Sequence, residues 1–308
     1  MRLLVVGSGP IGRRHAGNAL ALGHEAAVVR RTGGAVEGLD VPVFGDLEEA
    51  ERWRPDAVVV ANPPTAHLAT ARWGLERGLP VLVEKPLAAG LDGVDLLFEL
   101  AERSGVHLAV GCNLRFHPAL QAIEAAVSSG RAGRLLAVRA EVGSYLPGWH
   151  PEEDYRSSSA ARAELGGGAI LTLVHELDYV LWIAGPATLA SGVQTKVSGL
   201  ELNADDVAEL VLRHESGALS SIHMDLFDRA YNRRSRWVGD AATIEWRWGG
   251  PVDLHGPAGG VLWEDAGFDL ANTYLAELEA FLAGRPPPGD GLGDARRALG
   301  LAASVERL

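Results

Sequence analysis

From Arg2 to about residue 111 the chain alternates short apolar runs with longer segments whose apolar residues recur at three- and four-residue spacing. Residues 2–7 form an apolar run that ends in glycine, the pattern of a buried strand. Alanines and leucines at helical spacing follow over 11–22, and Glu25 to Arg30 reads as a second strand. The alternation continues with a strand at Asp56-Ala57-Val58-Val59-Val60-Ala61, a helix over 65–78 and a strand at Pro80-Val81-Leu82-Val83-Glu84. A helix over about 91–104 precedes a strand from Val106 to Gly111. Strands separated by helices of this length predict a parallel sheet covered on both faces, because each crossover lays a helix on the sheet.

The rhythm changes after residue 118. A helix near 118–130 leads into a long strand at Leu135–Val142. Val207 to His214 and Ala218 to Phe227 flank Glu215-Ser216-Gly217, a hairpin-like turn. Strand-like runs also cover about 190–197 and 243–248. These segments alternate apolar and polar residues, which predicts a mostly antiparallel sheet with one covered face. The other face is then left for solvent or a partner subunit. A helix is expected over 270–283, with Leu270, Tyr274, Leu278 and Phe281 on one stripe, before a loop at Pro286-Pro287-Pro288-Gly289. The expected class is α/β: a doubly wound parallel sheet over 1–118, then a second α/β domain with a large open sheet over 119–308.

Composition narrows the function classes. The 308 residues are 47% apolar and 22% charged, a soluble globular profile, and no apolar run approaches the roughly 20 residues that span a bilayer. The opening reaches Gly7 too early for a secretion signal, so a cytoplasmic location is expected. A net charge of −12 argues against nucleic acid or anionic membrane as the partner. The single cysteine, Cys112, excludes an internal disulfide and a multi-cysteine metal centre; it follows a buried strand and reads as core. Among 28 basic residues only Lys85 and Lys196 are lysines, and a lysine retained against that bias marks a place for a titratable amine.

Gly7-Ser8-Gly9-Pro10-Ile11-Gly12 has the form G-x-G-x-x-G. In a chain with 38 glycines the motif alone says little, but here a strand precedes it and a helix follows. Gly7 allows a tight turn, Gly9 leaves room for a pyrophosphate and Gly12 permits close packing, while the helix N-terminus stabilises the anion. Where an acidic residue would bind a ribose 2′-hydroxyl, the second strand ends in Arg30-Arg31-Thr32. Two guanidiniums and a hydroxyl suit a 2′-phosphate, which puts NADP slightly ahead of NAD, with both open. Glu84-Lys85-Pro86 ends a strand at the carboxyl edge of the sheet, and Pro86 restricts the lysine's backbone or lies behind a cis bond. The Lys85 amine suits a substrate hydroxyl; the ordinary alternative is a surface lysine. Gly166-Gly167-Gly168 opens a helix-like stretch from Ala169 to Ile183, with Thr172, His175, Asp178 and Tyr179 on one stripe. There His175 suits a proton acceptor oriented by Asp178; spacing alone equally allows a histidine satisfied by backbone. His214 and His223 fall within strands, and no metal site is expected.

Together these residues resemble the Gfo/Idh/MocA oxidoreductases, the glucose-fructose oxidoreductase and inositol dehydrogenase family. The likeness runs through Gly7 to His15, Asn62-Pro63-Pro64-Thr65-Ala66-His67, Glu84-Lys85-Pro86, Asn113-Leu114-Arg115-Phe116-His117-Pro118, and the glycine triplet leading to His175-Glu176-Leu177-Asp178. The resemblance implies a Rossmann domain followed by an α/β domain whose open sheet serves oligomer contacts, here a homodimer or homotetramer. It implies Lys85 and His175 as the active-site pair, with Asn62 and Pro63 by the cofactor; His67, Glu84 and Lys85, in the same motifs, count among the cofactor-binding residues. Many members carry an aspartate about one turn before the histidine, where this chain has Leu171 and Thr172. Thr172 can hydrogen-bond a hydroxyl but cannot hold a negative charge at neutral pH. The stretch Tyr145 to His150 with Asp154-Tyr155-Arg156 looks like the substrate segment of a branch acting on amino sugars. By that likeness Trp149 would stack on a sugar, with structural packing as the alternative, while His150 and Arg156 would meet hydroxyls or a carboxylate; Arg115 and Asp178 also count among the substrate-binding residues. The expected activity is interconversion of a sugar-type secondary alcohol and its ketone with NAD(P). A non-catalytic sensor that binds dinucleotide and sugar, and an imine or amino-acid dehydrogenase, stay open at this point.

Overall fold

The computed structural model describes residues Met1–Leu308, which form two compact units. The first comprises Met1–Asn113 with Ala271–Leu292, and the second Leu114–Leu270 with Gly293–Leu308. A single cut at 118 falls near the first crossing, but it misses that the chain returns to the first unit through its helix at 271–282.

The first unit carries β1 (Arg2–Val6), α1 (Pro10–Ala21), β2 (Glu25–Val29), β3 (Val43–Phe44), α2 (Leu47–Glu51), β4 (Ala57–Val60), α3 (His67–Glu76), β5 (Val81–Glu84), α4 (Val94–Ser104) and β6 (Leu108–Gly111). Its six strands are all parallel, in the order β3-β2-β1-β4-β5-β6. Consecutive residues of β1, β4 and β5 are buried, so both faces are covered, as continuous Val, Leu and Ala runs require. The strand order reverses between β1 and β4, and a parallel sheet binds ligands in the crevice beyond the carboxyl ends at such a reversal. The returning helix, α8 (Ala271–Leu282 in chain order), buries Leu278 and Phe281 in this unit's core.

The second unit contains α5 (Pro118–Ser128), β7 (Leu135–Gly143), α6 (Ala169–Thr172), α7 (His175–Ala184), β8 (Ala187–Thr195), β9 (Val207–His214), β10 (Leu219–Asp225), β11 (Asn232–Gly239), β12 (Thr243–Arg247), β13 (Val252–His255) and β14 (Gly260–Trp263). The final elements are α9 (Gly291–Ser304), which begins at the end of the first unit, and β15 (Glu306–Arg307). The sheet has nine strands in the order β14-β13-β12-β11-β7-β10-β9-β8-β15. Its pairings are antiparallel except β10 with β7 and β15 with β8. Burial alternates along β9 and β11, so one face meets the core under α5 and α7 while the other stays open.

Two expectations need correction. The stretch from Ala169 to Ile183 is not one helix: it breaks at Leu173 and Val174, so Thr172 ends α6 while His175 starts α7. Leu270 does not share the stripe of α8; it precedes that helix and packs on the second unit's core.

Candidate active site

The turn after β1 has the backbone of a phosphate cradle. Gly7 adopts φ +119°, and a Cβ there would lie 2.3 Å from the Ala61 carbonyl oxygen. A Cβ on Gly12 would lie 2.1 Å from the Gly7 carbonyl oxygen, so α1 can sit this close only with glycine. Gly9, the N-cap of α1, differs: a Cβ there would meet nothing within 4 Å, and no side chain caps the helix. Open space therefore faces a twelve-residue helix N-terminus begun by Pro10 and Ile11, whose first-turn amides lack helical partners. That cradle fits a dinucleotide pyrophosphate. The same contact places Asn62 beside Gly7, since a Cβ on Gly7 would also crowd the Asn62 amide nitrogen at 2.7 Å. Asn62 Nδ2 donates to Thr70 Oγ1 at 2.8 Å, and Pro63 is exposed next to it. At the end of β2, Arg30 donates to Thr32 Oγ1 and to the Ala35 carbonyl, at 3.0 and 2.8 Å. Arg31 and Thr32 are exposed.

Lys85 follows β5 and precedes a cis peptide bond to Pro86. Its neighbour Glu84 is buried, and Glu84 Oε1 lies 2.6 Å from Nε2 of His15 on α1. Glu84 Oε2 accepts the Lys85 amide at 3.1 Å. His67 is also buried: its Nε2 lies 2.7 Å from the Asn62 carbonyl oxygen and its Nδ1 2.9 Å from that of Pro86. Burial lowers the His67 pKa, and a neutral ring donates from one nitrogen only. Two buried histidines thus join three separated motifs. His15 ties the glycine-turn helix to the Glu84-Lys85-Pro86 turn, and His67 packs between that turn and Asn62, donating to one of the two carbonyls. The sequence places His15 and His67 within motifs, but no local pattern marks these contacts.

Glu277 on α8 completes a group with His15 and Glu84 whose ligating atoms lie within 4.8 Å of one another, a set with metal-ligand chemistry. Tyr274 presents its ring to His15 edge-on at 6.3 Å, and the Arg14 guanidinium lies over that ring at 4.6 Å. The sequence offered no signal linking α8 to this place, because the two lie nearly two hundred residues apart.

In the second unit His175 is the first residue of α7 and is buried. Beside it Glu176 forms a buried ion pair with Arg233 of β11, with Arg233 Nε 2.7 Å from Glu176 Oε1. Asp178 and Arg115 are directed at each other. Arg115 Nε and Nη2 donate to Asp178 Oδ2 and Oδ1 at 2.9 and 2.8 Å, and Nη2 also reaches Asp294 Oδ2 at 2.9 Å. Burial pushes the Asp294 carboxyl up, opposed by its bonds to Arg115. Trp149 is half-buried and donates from Nε1 to Ser144 Oγ at 2.6 Å, while His150 is exposed. Arg156, also exposed, is engaged by Asp154 at 2.8 Å and Glu201 at 3.0 Å.

The first 112 residues match the family model described as an oxidoreductase family with an NAD-binding Rossmann fold, and residues 120–245 match the GFO/IDH/MocA C-terminal domain. The chain is 29% identical to a myo-inositol dehydrogenase of Streptomyces leeuwenhoekii, covering 100% of this chain and 97% of that protein. It is 30% identical to inositol 2-dehydrogenase 2 of Saccharopolyspora erythraea, over 84% of this chain and 74% of that one. The fold is shared with the WlbA dehydrogenase from Bordetella pertussis, solved in complex with NADH and UDP-GlcNAcA. The TM-score is 0.79 at 21% identity, covering 99% of this chain and 94% of that one.

Proposed function

Because the chain belongs to the Gfo/Idh/MocA oxidoreductases, and so is an NAD(P)-dependent enzyme acting on CH–OH groups, we propose that it interconverts a secondary alcohol and a ketone on a sugar, amino sugar or polyol. The observation that carries this reading is the buried clamp of His15, Glu84 and His67, which fixes the Lys85 turn to the strand ends around the glycine cradle. The inositol dehydrogenases among its relatives support a polyhydroxylated substrate.

When bound, the nicotinamide dinucleotide supplies the hydride acceptor or donor. The Lys85 ammonium hydrogen-bonds the reacting hydroxyl oxygen and stabilises negative charge as it develops there. The His175 imidazole takes the hydroxyl proton during oxidation and returns it during reduction. Thr172 offers a hydroxyl to a neighbouring substrate hydroxyl without adding charge. Arg115 and Asp178, locked to each other, hold α7 and with it His175. Trp149 offers a ring and His150 a donor on the substrate side. Arg30, Arg31 and Thr32 favour the 2′-phosphate of NADP, and the open face of the nine-stranded sheet provides the contact between copies of the chain.

Steady-state assays with myo-inositol, free hexoses and nucleotide-linked amino sugars, each with NAD and with NADP, test this reading. Turnover of at least one of these substrates is expected, with NADP used at least as well as NAD. Reduction of neither dinucleotide by any of them would contradict it.

A further inference from the structure

Arg229 stands apart from the other charged side chains of its surroundings. It is exposed in the loop between β10 and β11, and its guanidinium lies over the Tyr145 ring at 4.2 Å. No hydrogen bond or ion pair engages that guanidinium, whereas the exposed Arg156, Arg234 and Arg236 of the same unit each meet a carboxylate. A guanidinium laid on an aromatic face keeps its N–H groups directed outward in its own plane, ready for an oxyanion.

The loop is held in a fixed form. Asp225 Oδ1 accepts the amides of Phe227 and Asp228 at 2.9 and 2.7 Å, and Asp228 Oδ1 accepts that of Ala230 at 2.9 Å. Next along the chain, Tyr231 is 50% exposed and sets its ring edge against Trp248 at 5.9 Å. Trp248 in turn lies under the guanidinium of Arg233 at 5.5 Å, the same Arg233 that pairs with Glu176 beside His175.

The register places this surface relative to His175. Arg233 stands opposite Val142 on β7, so Glu176 reaches the end of that strand, and Tyr145 lies three residues on. The Arg229–Tyr145 pair and the Glu176–Arg233 pair beside His175 are therefore tied to the same end of the β7–β11 pairing.

We propose that Arg229, carried on Tyr145, binds an anionic group of the substrate, a carboxylate or a phosphate, while the exposed Tyr231 ring takes the flat apolar face of the sugar. The substrate class is therefore an acidic or phosphorylated sugar rather than a neutral polyol. This inference rests on the oxidoreductase reading for its link to turnover, but the binding step it describes is measurable by itself.

Calorimetric titration of the full chain with glucuronate, UDP-glucuronate, UDP and glucose compares wild type with Arg229→Gln and with Arg131→Gln, another exposed arginine without a carboxylate partner. At least one anionic probe is expected to bind wild type more tightly than glucose does. Arg229→Gln should weaken that probe about tenfold or more, and Arg131→Gln should not. Tyr145→Phe, which keeps the ring, should retain affinity, whereas Tyr145→Ala should lose it. Glucuronate binding without UDP binding assigns the anion to a sugar carboxylate, and binding of UDP assigns it to a phosphate. Equal affinity in wild type and Arg229→Gln, or no preference for any anionic probe, would overturn the subsite. Absence of turnover with every probe would count against the oxidoreductase reading and leave the binding comparison to decide the subsite.

Discussion

His117 shows how far one residue's surroundings can move its chemistry. Its ring centroid lies 4.9 Å from that of Phe268, 5.3 Å from Trp248, 5.4 Å from Trp246 and 5.6 Å from Trp263. Its Nδ1 accepts the Ala119 amide at 3.1 Å as the N-cap of α5, which leaves the proton of the neutral ring on Nε2. Burial, aided by Arg233 and opposed by Asp265, lowers its pKa to about 4, against about 6.5 for an unstructured histidine. In the window between these values the unfolded chain binds a proton that the folded chain refuses, so this residue makes stability fall as pH falls from about 6.5 to about 4. The full effect is on the order of 3 kcal/mol. His117→Asn keeps an N-cap acceptor and removes the titrating group. Denaturant unfolding at pH 7 and pH 5 should show a smaller acid loss in this variant than in wild type; equal losses would assign the acid sensitivity elsewhere.

At the level of elements, the glycines of the first turn separate packing from binding. A side chain at Gly12 collides with the Gly7 carbonyl, so Gly12→Val should destabilise the fold by about 2 kcal/mol or more. A side chain at Gly9 enters open space. Gly9→Val should leave the melting temperature nearly unchanged while weakening dinucleotide binding about tenfold or more, read by thermal unfolding and fluorescence titration. A large loss of stability in Gly9→Val would mean that the cradle is a packed turn and not a ligand site.

These elements also show what the sequence could and could not reveal. The parallel strands were legible because burial on both faces leaves unbroken Val, Leu and Ala runs, as in β4. The helix break at Leu173 and Val174 was not, since α6 and α7 both carry apolar residues and no proline or glycine marks the gap. β11 hid for a different reason: its sequence Asn-Arg-Arg-Ser-Arg looks solvent-exposed, yet Arg233 points inward to a buried carboxylate on α7. α8 was legible as a helix but not as a member of the first unit, because periodicity reports a buried stripe without naming what buries it. The candidate site divides in the same way. Motif spacing singled out Gly9, Lys85 and His175, whereas the clamp through His15, Glu84 and His67 depends on contacts that no local pattern encodes.

For the whole molecule, the net charge of −12 disfavours a polyanionic partner, and no helix is long and apolar enough to cross a membrane. Family membership gives the oxidoreductase class and the NAD-binding Rossmann unit. In the proposed mechanism Thr172 cannot take a proton at neutral pH, so proton handling falls to Lys85 and His175. The most direct test compares Lys85→Met with wild type, measuring dinucleotide affinity by fluorescence titration and turnover on the best substrate of the sugar panel. The expected result is affinity within about threefold of wild type with turnover reduced about a thousandfold, the scale of losing a group that acts on the reacting oxygen. Undiminished turnover in Lys85→Met would contradict the account.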